Sequence, residues 1–168
     1  MKADIQLVEL PVATADGKFI ARYSENGLVE LNFPKGERVF TRGTNKKKSS
    51  NQLRGWQRLT EAALKKVLAG RAFRKLPPLD WAGKTEFQKS VWRALLKIAP
   101  GKTKSYGAIA RVIGRPKAVR AVGGACGANP IPVLVPCHRV LAANNKPGGF
   151  SGGLNWKRSL LAREGVKI

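Results

Sequence analysis

The first third of the chain breaks into short apolar-rich runs. Residues 5–12, 18–24 and 28–33 are strand candidates, and the turn signals Ala15-Asp16-Gly17 and Glu25-Asn26-Gly27 separate them. Such punctuation predicts a meander of antiparallel strands. The pattern then changes. Residues 42–51 are polar and basic and read as a loop. From Trp56 to Leu68 the apolar positions are 56, 59, 63, 64, 67 and 68, a helical period that Gly70 ends. Leu76-Pro77-Pro78-Leu79 reads as an extended linker, because paired prolines prevent helix.

The second half reads as helices joined by tight turns. Thr85 is placed to cap a helix over residues 86–98, with Phe87, Val91, Leu95 and Ile98 on one face. Pro100-Gly101 breaks it. Ser105 caps a short helix through Ile113, closed by Gly114, and a third helix is expected from Pro116 to Ala125. Two short helices about a glycine-containing turn suggest a helix-turn-helix. The third helix is rich in small residues: Ala118, Ala121, Gly123, Gly124 and Ala125. Glycine inside a helix costs about 1 kcal/mol against alanine, so close approach of another surface is indicated. That surface is either a second helix or a groove, with Arg120 the one long side chain projecting.

Charge narrows the choice. Among 168 residues, 32 Lys and Arg oppose 10 Asp and Glu, a net charge of +22, while 43% of residues are hydrophobic as in ordinary globular proteins. Self-repulsion on this scale points to a polyanionic partner, nucleic acid first and an anionic membrane surface second. Residues 84–168 hold 16 of the bases and only two acids, Glu86 and Glu164. Glu86 has a ready explanation in the first turn of its helix, where the dipole favours a negative charge. No apolar run is long enough for a transmembrane helix, and the N-terminus lacks the pattern of a signal peptide. Two cysteines and one histidine make neither a disulfide framework nor a structural zinc site, so an intracellular, reduced setting is expected.

Candidate chemistry lies in residues 129–140, Asn-Pro-Ile-Pro-Val-Leu-Val-Pro-Cys-His-Arg-Val. Cys137 is followed directly by His138, the only histidine. A base beside a thiol makes thiolate and hence a nucleophile; a buried structural cysteine beside a hydrogen-bonded histidine is the alternative. Cys126 has no base beside it and reads as a packing residue.

The segment Pro136-Cys137-His138-Arg139-Val140 resembles the active-site motif of the O6-alkylguanine-DNA alkyltransferases. Further matches stand in the family's order: Phe87-Gln88-x-x-Val91-Trp92, Ser105-Tyr106-Gly107, Arg120-Ala-Val-Gly123 and Asn129-Pro130 before it, then Gly152-Gly153 and Leu160-Leu161-x-x-Glu164-Gly165 after it. The resemblance covers roughly residues 80–166; the N-terminal half matches only in layout. It implies an α+β fold. A small N-terminal antiparallel-sheet domain of ribonuclease H-like type (residues 1–79) precedes a helical, winged helix-turn-helix-like catalytic and DNA-binding domain (residues 80–168).

The resemblance also implies a reaction: irreversible transfer of an alkyl group from guanine O6 in duplex DNA to Cys137, after base flipping and without cofactor. His138 would deprotonate Cys137 through a water, and Glu164 would hold the histidine tautomer and stabilise the imidazolium. Asn129 would brace the active-site turn. Arg120 would enter the base stack, Ala118, Ala121 and Gly123 would let the helix sit in the minor groove, and Tyr106 would press on the target phosphate. Pro132, Val140, Phe150 and Ser151 would line the substrate pocket. The carbonyls of Cys137 and Val140 would accept from the guanine amine, and the Ser151 N–H would donate to O6.

One position departs from the family, which usually has a tyrosine donor where this chain has Phe150. No metal is expected, since residues 1–83 contain no Cys or His to hold the N-terminal zinc of some relatives. The partner would be double-stranded DNA carrying alkylated guanine, with no membrane role. The protein would act as a monomer, with cooperativity on DNA left open, in the cytoplasm of a prokaryote or the nucleus of a eukaryote. Two other readings stay open: a lesion binder that flags damage and hardly reacts, and a basic DNA-coating protein with no preference for damage.

Overall fold

A computed structural model describes residues 7–35 and 50–168. Strands β1 (Val8–Thr14), β2 (Gly17–Ser24) and β3 (Gly27–Asn32) form an antiparallel sheet in the order β1-β2-β3. Two-residue turns join them, pairing Thr14 with Gly17 and Ser24 with Gly27. Alternation gives the sheet a buried face carrying Phe19, Ala21 and Tyr23. Helix α1 (Asn51–Leu68) contributes Leu53, Ala63, Leu64 and Val67 to the same core, and the buried Tyr23 hydroxyl donates to Thr60 Oγ1 at 2.7 Å.

Helix α1 starts at Asn51, five residues before the apolar period begins. Ser50 caps it by accepting from the Leu53 N–H, so a polar first turn is supported by its cap rather than by packing. The rest of the predicted loop, residues 42–49, lies outside the described residues, as do Ile5, Gln6 and the Lys46-Lys47-Lys48 run. The proline segment runs beside β3: the Leu28 N–H donates to the Pro78 carbonyl at 2.8 Å and the Asp80 N–H to the Leu28 carbonyl at 2.9 Å.

Helix α2 (Glu86–Leu95) opens with a capping box between Thr85 and Gln88. It ends three residues short of Ile98, whose carbonyl is used elsewhere, as described below. Strand β4 (Lys104–Ser105) leads into helix α3 (Tyr106–Val112), capped by Ser105. Helix α4 (Val119–Gly127) begins after Pro116, not at it, because Arg115–Ala118 forms a turn closed by the Ala118 N–H on the Arg115 carbonyl at 2.8 Å. Helices α2, α3 and α4 pack on one another, and the indole N–H of Trp92 donates to the Ala125 carbonyl at 2.8 Å. Strand β5 (Val140–Leu141) pairs in parallel with β4, and helix α5 (Leu154–Arg163) closes the chain. The fold is α+β, an N-terminal antiparallel sheet followed by a helical half. A single cluster of buried side chains runs through both. Arg163 adds a polar tie, reaching Asp16 through both carboxylate oxygens at 2.6 and 2.8 Å and the Leu68 carbonyl at 3.1 Å.

Candidate active site

The segment after α4 is shaped by its own side chains. Asn129 Oδ1 accepts from the Ile131 N–H at 3.0 Å, and its Nδ2 donates to the Val135 carbonyl at 2.8 Å. Pro130, Pro132 and Pro136 restrict the backbone further. Val133, fully buried, sits at φ 74°. A β-branched residue in the left-handed region stores about 1–3 kcal/mol of strain, held there by its surroundings. The Cys137 N–H then donates to the Val135 carbonyl at 2.8 Å, and Cys137–Arg139 form a single 3₁₀ turn. A turn does not force neighbouring side chains to opposite faces as a strand does, which lets Cys137 and His138 serve one site.

Glu164 follows the last residue of α5, and its side chain is fully buried. His138 Nε2 lies 2.9 Å from Oε1. Arg139 approaches the same carboxylate through Nε at 3.1 and 3.2 Å and Nη2 at 2.8 Å, while its Nη1 donates to the Ile98 carbonyl at 2.6 Å. The Gly101 N–H donates to Oε2 at 3.3 Å. Burial alone would raise the Glu164 pKa, but the hydrogen bonds and charges of His138 and Arg139 outweigh it and bring it to about 2. An ionised carboxylate only accepts, so Nε2 carries the proton and Nδ1 is left as the basic nitrogen. Burial pushes the His138 pKa down; Glu164 opposes this, and the charges of Arg139 and Lys157 reinforce it. Because Arg139 already neutralises Glu164, the imidazole stays neutral near pH 7. Its Nδ1 is buried and without a hydrogen-bond partner among the described residues.

These shifts have a sign that can be tested. Both groups hold protons less readily in the folded chain than in the unfolded one. Their contributions to stability are therefore complete above the ordinary values and are lost as pH falls, through 6.5 for His138 and from 4.5 toward about 2 for Glu164. Urea midpoints should fall as pH drops from about 7.5 to about 2, His138 contributing below 6.5 and Glu164 below 4.5; a flat profile over that range contradicts the charge assignment.

Cys137 is 4% exposed. Burial pushes its thiol pKa up, and the hydrogen bond with Asn129 and the positive charge of Lys157 oppose that. Lys157 is itself completely buried on α5, donating to the Val140 carbonyl at 2.7 Å and lying 3.4 Å from the Gly149 carbonyl. A buried ammonium beside a thiol favours the thiolate. Among the described residues, no group of three His, Cys, Asp or Glu side chains is arranged to hold a metal ion.

The structure thus pairs His138 with Glu164 and Cys137 with Asn129, and chain adjacency at 137–138 joins the two pairs. Of the DNA-reading candidates, Tyr106, Arg120 and Gly123 line a cavity of about 570 Å³ with Phe150 and Ser151, whereas Ala118 and Ala121 do not. Tyr106 starts α3 and is half-buried; a side chain on Gly148, at φ 66°, would lie 2.7 Å from its hydroxyl oxygen. Arg120 and Ala121 are exposed on the first turn of α4, and Ala118 occupies its N-cap position. The pocket residues do not all meet. Pro132 lines a second cavity of about 310 Å³, which shares Ser151 with the first, and Val140 is fully buried and lines neither. The Val140 carbonyl already accepts from Lys157 and that of Cys137 from the Val140 N–H, leaving one lone pair on each.

Packing divides the small residues of this helix: Ala125 is buried and its carbonyl accepts from Trp92 of α2, whereas the glycines face open space. A Cβ added at Gly123, Gly124 or Gly127 would meet nothing within 4 Å. These glycines are not required by a neighbouring helix; they leave the outer surface of α4 low.

Sequence reasoning missed two site residues. Arg139 stood inside the recognised motif but was given no role, although a lone acid in a basic half needs a counter-charge. Lys157 falls on the same helical face as Leu160, Leu161 and Glu164, a spacing that marks an inward-facing lysine.

Known proteins carry the same features. The family described as "6-O-methylguanine DNA methyltransferase, DNA binding domain" matches residues 86–166. A methylated-DNA–protein-cysteine methyltransferase of Methanosarcina acetivorans is 42% identical over 149 residues, covering 89% of this chain and 92% of the relative. One from Mycobacterium tuberculosis is 57% identical over 86 residues, about half of each chain (51% and 52%). Among solved structures, Mycobacterium tuberculosis OGT in complex with DNA superposes with a TM-score of 0.74 at 37% identity, covering 94% of this chain and 92% of that one. The O6-methylguanine-DNA methyltransferase of Pyrococcus kodakaraensis gives 0.63 at 27% identity, covering 96% and 100%. With the fold shared and 42% identity along 89% of its length, the chain belongs to the methylated-DNA–protein-cysteine methyltransferase family.

Proposed function

We propose that this protein repairs DNA directly, moving the alkyl group of O6-alkylguanine onto its own Cys137. The observation that carries the reading is the buried His138, its Nε2 committed to Glu164 and its Nδ1 free to take a proton. In the reaction the thiol proton passes to Nδ1 through a water. Sγ attacks the alkyl carbon as the bond from that carbon to O6 breaks. The electron pair stays on guanine, which takes up a proton from water, and the imidazolium returns its proton to solvent afterwards. Glu164 steadies the imidazolium meanwhile. Nothing returns the alkyl group, so each molecule acts once.

The base must leave the stack to reach Cys137. Arg120 is suited to filling the space it vacates, since it is long, exposed and at the rim of the 570 Å³ cavity. The open glycine face of α4 suits close approach to a minor groove, and Tyr106 is placed to press on the target phosphate. We read the active species as a monomer in a reducing intracellular compartment, its +22 charge holding it on duplex DNA without regard to sequence.

Incubation with a duplex carrying O6-methylguanine, followed by intact mass and peptide mapping, tests the reading. It requires one added methyl group, on Cys137 and not on Cys126. An unmodified chain bound to the lesion duplex would instead establish the damage-flagging alternative, which Phe150 favours by supplying no hydroxyl donor. The change Phe150→Tyr restores that donor and should raise the transfer rate; an unchanged rate would show that the hydroxyl is dispensable here.

A further inference from the structure

We infer that Phe33, in the N-terminal half, is a positioning residue that limits the size of the O6 substituent the pocket accepts; this rests on the alkyl-transfer reading. Among the described residues the N-terminal half supplies no group to the chemistry, yet the chain just after β3 reaches the loop of residues 148–153 that carries Phe150 and Ser151. Phe33 meets Phe150 edge to face, with centroids 5.6 Å apart and an interplanar angle of 76°. Phe150 in turn stands edge-on to His138, at 6.4 Å and 79°. On its other side Phe33 contacts Trp156 at 5.1 Å and Phe19 at 5.6 Å, and Phe19 and Trp156 touch at 5.7 Å. Phe33 is therefore wedged between a fixed aromatic cluster and the pocket wall, and aromatic contacts of this geometry are directional.

The loop is fitted closely to that ring. A Cβ on Gly152 would lie 2.6 Å from two carbons of Phe33 and 3.0 Å from the Phe150 ring. Behind the loop lies the 310 Å³ cavity, lined by Phe33, Trp156, Asn129, Pro132, Ser151 and Gly152 among others. Ser151 borders both this space and the 570 Å³ cavity in front. The strip of loop around Ser151 and Gly152 is thus a partition with open volume on each side, and Phe33 is what it leans on. A smaller residue at position 33 lets Phe150 and the partition recede into the rear cavity, which deepens the pocket. Small substituents gain nothing from this; large ones gain room.

The experiment measures single-turnover transfer to Cys137 from duplexes carrying O6-methylguanine or O6-benzylguanine, for the wild-type chain, Phe33→Leu and the milder Phe33→Met. The benzyl-to-methyl rate ratio should rise about fivefold or more, the scale on which apolar pockets discriminate by size. Loss of packing alone would lower Tm and both rates together, leaving the ratio in place. A ratio within about twofold of wild type in both variants overturns the inference. Gly152→Ala supplies an independent arm. It should slow transfer in the wild-type background, where its methyl meets Phe33, and slow it much less beside Phe33→Leu. Additive effects count against the inference. A wild-type chain that takes up no methyl group would instead refute the alkyl-transfer reading itself.

Discussion

Changing Glu164 to glutamine is expected to slow methyl transfer to Cys137 by about 10²–10⁴-fold, the usual contribution of a positioned base whose orienting partner is lost. The amide is nearly the same size, so the packing around His138 survives. What changes is the proton. A carboxylate can only accept and therefore fixes the hydrogen on Nε2, whereas an amide can also donate to Nε2 and move the hydrogen to Nδ1. The basic nitrogen would then face the wrong way, and the imidazolium formed in the reaction would lose its counter-charge. Single-turnover kinetics on a methylated duplex measure the effect, and affinity for the same duplex should change little, because Glu164 is buried away from DNA. A rate within about threefold of wild type would remove Glu164 from the mechanism.

The second large effect is on stability. Arg139→Leu should cost about 3–5 kcal/mol, since it strands a buried carboxylate with only a neutral imidazole and the Gly101 N–H beside it. Arg139 also ties the turn to the segment that follows α2 through the Ile98 carbonyl, and that acceptor would be left bare. Equilibrium urea unfolding provides the number. Adding Glu164→Gln to Arg139→Leu should recover part of the loss, because the stranded charge disappears; strict additivity of the two changes would mean that they do not interact. A second consequence separates charge from packing. Without Arg139 the carboxylate has only His138 to neutralise it, so the imidazole should take a proton at higher pH, and transfer should fall off sooner on the acid side.

Much of this was legible beforehand, for identifiable reasons. The meander announced itself because its turns are closed by Gly17 and Gly27, and α2 and α3 because Thr85 and Ser105 are strong caps. The start of α1 was hidden, since Asn51–Gly55 contribute little apolar signal and depend on Ser50. Pro116 misled: a proline that can begin a helix here belongs to the turn before one. The chemistry of Pro136-Cys137-His138 could be read through the family motif around it, since adjacency alone left a buried structural cysteine as the alternative. The pairing of Arg139 with Glu164, 25 residues away, could not, because it depends on how α5 returns to the turn. The same holds for Phe33 and Phe150, which no local pattern connects.

The near-complete burial of Cys137 bears on what happens after the reaction. An enzyme that turns over must fit its product loosely enough to let it go. Here the product is the protein, so the pocket has no such requirement. An extra methyl group on a cysteine that is only 4% exposed crowds its neighbours, and overpacking of this kind costs about 1–3 kcal/mol. The spent chain should consequently unfold at a lower urea concentration than the fresh one. Repair capacity then depends on how many intact copies exist, not on how fast any one of them works.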